Sequence, residues 1–138
     1  MSPKKLSDDL SVSAQIDPAE MADLAAAGYK SILCNRPDDE DAGQPSIHEV
    51  TKAAAAHGIE VRHDPVISGG MRPEDIDIFA DALDNLPKPV LAYCRTGTRC
   101  TMLWAASQHG LMTTEDIIKT AAEAGYDVSG LMQRMDAR

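Results

Sequence analysis

The run Val90-Leu91-Ala92-Tyr93, followed at once by Cys94-Arg95-Thr96-Gly97-Thr98-Arg99-Cys100, most constrains what this chain can fold into. Four apolar residues bounded by Pro89 predict a buried parallel strand, since a strand covered on both faces shows no polar alternation. Thr101-Met102-Leu103-Trp104-Ala105-Ala106-Ser107 predicts a helix. Cys94 therefore stands on a Gly-containing turn between the carboxyl end of a strand and the start of a helix. Main-chain N–H groups of such a turn converge on one point, and the helix dipole adds partial positive charge there. Arg95 and Arg99 add full charges, so Cys94 is expected to be an ionised nucleophile near neutral pH.

Short apolar runs alternate with amphipathic stretches along the rest of the chain. This predicts one α/β domain over residues 1–138, with a mostly parallel central sheet flanked by helices and the Cys loop at the carboxyl end of its central strand. Residues 10–14 alternate like an edge strand. Asp17-Pro18-Ala19-Glu20 and Ser46-Ile47-His48-Glu49 each read as a capping box opening a helix. Strands are predicted over 31–34 and 59–62, and a helix carries Ile76, Phe79, Leu83 and Leu86. Further helices are predicted over 102–109 and from about 113 to 124, with a helical tail through Met132 and Met135. Ligands of such a sheet sit where strands end. Cys34, Asn35 and Arg36 end one strand, His63 and Asp64 another, and Cys94 a third.

The 22 acidic and 13 basic residues give a formal charge of −9. That field repels polyanions, so neither nucleic acid nor an acidic membrane is an expected partner, and any anion site must be local. No apolar run reaches membrane-spanning length and no signal peptide is visible. Cys34, Cys94 and Cys100 show no disulfide-framework or zinc spacing, which points to reduced thiols in a cytoplasmic setting, with no metal and no cofactor. Association into a homo-oligomer is compatible with the sequence.

Each candidate has a structural and a functional reading. Arg99 suits closing the turn over an anion by paired hydrogen bonds, and Gly97 suits the positive φ that turns amides inward. Thr96 and Thr98 complete the anion-binding turn; Arg95 either assists there or points away. Cys100 is either packing or a resolving thiol for Cys94. Asp64 is either a general acid for a leaving oxygen or an Asx turn before Pro65, with His63 as a weaker alternative. Arg36 either assists anion binding or pairs with Asp38, Asp39 or Glu40.

Several segments together resemble a known bacterial family. They are Ser11-Val12-Ser13-Ala14-Gln15, Asn35-Arg36-Pro37-Asp38, Asp64-Pro65-Val66, the Cys94–Arg99 turn with Leu103-Trp104-Ala105, and Ala124-Gly125-Tyr126-Asp127. The family is the phosphatase-like domain of beta-lactamase-hydrolase-like proteins, also described as a small sulfurtransferase family. The resemblance implies a dual-specificity-phosphatase-like fold with the cysteine as nucleophile. It also implies a link to sulfide metabolism, since some relatives carry a persulfide dioxygenase-like domain. Most copies are expected to have Ser where this chain has Cys100.

The loop length bears on the reaction. Cysteine phosphatases typically hold five residues between Cys and Arg; here four intervene, as in the rhodanese loop, Cys-Arg-x-Gly-x-Arg. On that ground the sequence favours sulfur transfer. Cys94 would take the outer sulfur of thiosulfate or of a low-molecular-weight persulfide, a small anionic donor, and pass it to a thiol acceptor. The alternative is hydrolysis of a phosphate ester, with Cys94 attacking phosphorus, Arg99 steadying the oxygens and Asp64 protonating the leaving group.

Overall fold

Val90–Tyr93 is the central strand, and the computed structural model, which describes residues 3–137, builds everything else around it. The strands are β1 (Lys4–Lys5), β2 (Leu10–Ser13), β3 (Ser31–Cys34), β4 (Glu60–His63) and β5 (Val90–Tyr93), in spatial order β1-β2-β5-β3-β4. Every pairing is parallel except β1 with β2. The helices are α1 (Met21–Ala26), α2 (Ile47–Ala55), α3 (Pro73–Asn85), α4 (Thr98–Gln108), α5 (Thr114–Glu123) and α6 (Ser129–Asp136).

The alternation of side chains along β5 divides the interior in two. Val90, Ala92 and then Cys94 face a core made with Phe79 of α3, Leu103 of α4, Ile117 of α5 and Met132 of α6. Leu91 and Tyr93 face the other core, made with Met21 and Leu24 of α1 and Val50 and Ala54 of α2. The chain is thus a single α/β domain with helices on both faces of one sheet. In register, Ser13, Tyr93, Cys34 and His63 lie side by side. The residues that follow them, among them Cys94, Asn35 and Asp64, therefore emerge along one rim.

Four sequence expectations need correction. Residues 10–14 were expected at an edge, but β2 is interior: all four of its residues are buried, and β1 covers its outer side. Lys4–Lys5 is two exposed charged residues, a pattern with no apolar signal to read. β4 runs one residue later than 59–62 and takes in His63. The Asp17–Glu20 capping box forms, yet it opens a 3-10 turn, Pro18–Glu20, that leads into α1.

The fourth correction shapes the site. α4 begins at Thr98, directly after Gly97 at φ +90, rather than near 101 or 102. Its first-turn N–H groups, which have no partner inside the helix, are thereby brought within the Cys94 turn itself.

Candidate active site

Cys94 leaves β5 on the side of α4, anchored by its own N–H to the Ser13 carbonyl oxygen at 3.4 Å. The chain then bends so that the Gly97 N–H donates to Cys94 Sγ at 3.2 Å. Gly97 is required twice over. Its φ is positive, and a Cβ there would collide with the Tyr126 hydroxyl. Tyr126 in turn donates to the Thr96 carbonyl oxygen at 2.9 Å, so the segment after α5 clamps the turn from outside. The Thr96 and Thr98 hydroxyls bond each other at 2.9 Å, tightening the rim.

This cradle holds the Cys94 pKa down at about 5, well below an ordinary thiol. The largest cause is hydrogen bonding from the Cys100 thiol; burial opposes it, and N–H groups of Cys100, Thr96 and Gly97 add to it. Cys100 has one proton and two acceptors, the Cys94 sulfur and Asn35 Oδ1 at 3.2 Å. The charged sulfur is the stronger acceptor. Burial, followed by the neighbouring Cys94, pushes Cys100 well above the usual thiol value, so it remains the donor. Cys34 lies on the other core face, its Sγ 3.3 Å from the Arg36 carbonyl oxygen, and burial raises its pKa. Cys94 is the thiolate of the three. It is only 1% exposed.

Arg99 is 11% exposed in its side chain and tightly fixed. Nη1 donates to Glu40 Oε2 at 2.7 Å and to the Val66 carbonyl oxygen at 2.9 Å, while Nη2 donates to Glu40 Oε1 at 2.8 Å. A guanidinium has five N–H donors. Three are occupied, and the two without a partner among the described residues, on Nε and Nη2, lie on one edge and point the same way. That edge is a two-pronged fork for an oxyanion. Hydrogen bonding from Arg99 is the main reason the Glu40 pKa is lowered to about 2.

The remaining sequence candidates divide around this centre. Arg36 is buried, 3% exposed in its side chain, and binds Glu40 at 2.8 Å, Asp41 at 2.7 Å and Gln15 at 3.0 Å. Its partners are thus not Asp38 or Asp39, and it braces the carboxylate that holds Arg99. Arg95 is exposed and leans to Asp41 at 3.3 Å. Asp64 Oδ2 pairs with Arg62 Nε at 2.7 Å. It lines a cavity with Asn35 and His63 that no residue of the Cys94 turn borders. His63 Nε2 lies 2.9 Å from the Arg36 carbonyl oxygen, and the residue is half-buried.

Three contributors escaped the sequence reading: Glu40 as the seat of Arg99, Asn35 as the acceptor beside Cys100, and Tyr126 as the clamp on Gly97. Asn35 was expected on the rim as the end of a strand, without this partner, and both Asn35 and Tyr126 stand in segments that carry the family resemblance.

A family model described as the beta-lactamase hydrolase-like protein, phosphatase-like domain, matches residues 3–111. The chain belongs to this family. It is 31% identical over 125 residues to a beta-lactamase hydrolase-like protein of Xylella fastidiosa, across 89% of this chain but 29% of that protein. The chain thus spans under a third of the length of such curated relatives. A candidate phosphatase of Neisseria meningitidis superposes with a TM-score of 0.88 at 34% identity, covering 97% of this chain and 96% of that one. The core catalytic domain of the PP-IP phosphatase SIW14 from S. cerevisiae gives 0.73 at 16% identity, covering 96% and 82%, a likeness of fold. Family and fold are phosphatase-like, and the sulfurtransferase expectation drawn from loop length gains no support from these relatives. Among the described residues no helix is long and apolar enough to cross a membrane.

Proposed function

We propose that this chain hydrolyses phosphate monoesters through a phosphocysteine on Cys94. The carrying observation is a hydrogen-bonded thiolate at the start of a turn whose closing arginine, Arg99, keeps its Nε/Nη2 edge without a partner among the described residues. The Cys94 sulfur attacks phosphorus and the bond to the ester oxygen breaks. Arg99 and the turn N–H groups hold the phosphoryl oxygens as charge shifts onto them. Asp64 supplies the proton to the leaving oxygen once its carboxyl turns away from Arg62. Water then attacks phosphorus and gives a proton to the Asp64 carboxylate, the P–S bond breaks, and inorganic phosphate leaves with Cys94 again a thiolate.

Phosphate release is measured with p-nitrophenyl phosphate and with an alkyl phosphate. Cys94→Ser should abolish both. Asp64→Asn should cost about 10²–10⁴-fold on the alkyl ester, whose leaving group needs a proton, and far less on p-nitrophenyl phosphate. Equal, small effects on both would remove Asp64 from the mechanism. The four-residue spacing from Cys94 to Arg99 favours a second reading, sulfur transfer, in which Cys94 takes the outer sulfur of thiosulfate and sulfite departs. Intact mass after thiosulfate decides: one added sulfur on Cys94 without phosphatase turnover would replace the first reading with the second.

A further inference from the structure

A cavity of about 290 Å³ opens beside Arg99, walled by Ile67 and Met71 of the loop before α3, Met102 of α4, and Leu131 and Arg134 of α6. Arg99 lines it too, and its bond to the Val66 carbonyl oxygen ties that loop to the cradle. Ile67 is 73% exposed, a large apolar side chain left without cover. The two methionines are half-buried and, being unbranched, can adapt to an apolar guest.

Arg134 differs from the other arginines among the described residues. Arg36, Arg62, Arg72, Arg95 and Arg99 each hold an ion pair. Arg134 is exposed and makes no ion pair or hydrogen bond with any described residue. In a chain with 22 acidic and 13 basic residues, a guanidinium on a cavity wall without a carboxylate partner is open to an anion from outside.

We propose that this cavity is the leaving-group subsite. It selects phosphate monoesters whose organic part is a short apolar chain ending in a second anionic group, held by Arg134. The inference rests on the phosphomonoester reading. A volume at the lower end of ligand pockets, roughly 300–1,000 Å³, suits a small organic part. Its walls contribute apolar contact to the chain, and its two guanidinium groups suit an anion at each end.

The test compares 6-phosphonooxyhexanoate with hexyl phosphate, which share a chain length and differ in the terminal carboxylate. Binding is measured by calorimetry on the full chain carrying Cys94→Ser, which needs no turnover. The carboxylate-ended ester should bind about tenfold more tightly, as one added charge-assisted contact implies. Adding Arg134→Ala should bring the ratio of affinities to about one, and Arg134→Lys should keep part of it. Equal affinities without the Arg134 change, a ratio that survives Arg134→Ala, or no binding of either ester would each overturn the subsite. Absence of phosphate release by the unaltered protein, with the affinity ratio intact, would instead fail the phosphatase reading, overturn the cavity's role toward a leaving group and leave it a binding site for such anions.

Discussion

The Cys100 thiol and the main-chain N–H groups of the turn together hold Cys94 as a thiolate. The thiol donor is the largest influence lowering the Cys94 pKa to about 5, ahead of the main-chain N–H groups. Alkylation of Cys94 by iodoacetamide should rise as pH passes through about 5 and level off well before 9. A midpoint near 9 would show that no thiolate rests there. Cys100→Ala removes the donor and should raise the midpoint by about one unit, the worth of one hydrogen bond to a charged group. Cys100→Ser, with a hydroxyl to donate, should move it less. The same shift has a sign for stability. The folded-state value lies below the unfolded one, so the contribution is complete above the unfolded thiol pKa and disappears as pH falls through about 5.

At the scale of elements, the loop between β3 and α2 is latched to α4 by Glu40. One carboxylate binds Arg99 by two bonds and Arg36 by a third. The helix start positions Arg99, but this loop aims it. Glu40→Gln keeps the shape and removes the charge. It should lower kcat/KM for a phosphate ester about 10–100-fold through misplacement of the guanidinium. It should also cost roughly 1–3 kcal/mol of stability by leaving Arg99 without a carboxylate and Arg36 with Asp41 alone. Enzyme assay and urea unfolding check the two separately; unchanged kcat/KM would show that Arg99 needs no seat. Acid should act like the substitution. The Glu40 contribution is present above the ordinary carboxyl pKa and is lost as pH falls toward about 2.

For the molecule as a whole, β5 carries both cores, one on each face, and ends in the reactive sulfur. Leu91 is fully buried in the core under α1 and α2, while Cys94 belongs to the core under α3 to α6. Leu91→Ala should therefore cost about 2–5 kcal/mol in urea unfolding, as a cavity in a close-packed interior does. The sheet lies between the two layers, so the alkylation midpoint of Cys94 should stay where it was. A midpoint that moved with Leu91 would show that the cradle is supported from the far face.

The linear order of residues was enough for everything set by near neighbours. β3 and β5 lie where their apolar runs placed them, both capping boxes close, and a thiolate-favouring turn stands between a strand and a helix, because strand burial, capping and turn chemistry act over a few positions. Folding in three dimensions settled the pairings. Glu40 meets Arg99 across 59 positions, Asn35 meets Cys100 across 65, and Tyr126 meets Thr96 across 30. No local pattern encodes such meetings, since they depend on which surfaces the sheet brings together. The two lysines of β1 could not be read as a strand either, because only the hydrogen-bonding edge of β2 away from β5 gives them a partner. The free edge of Arg99 was likewise hidden until Glu40 and Val66 had claimed its other donors: charge type is written in the chain, but the direction of a side chain is decided by what packs against it.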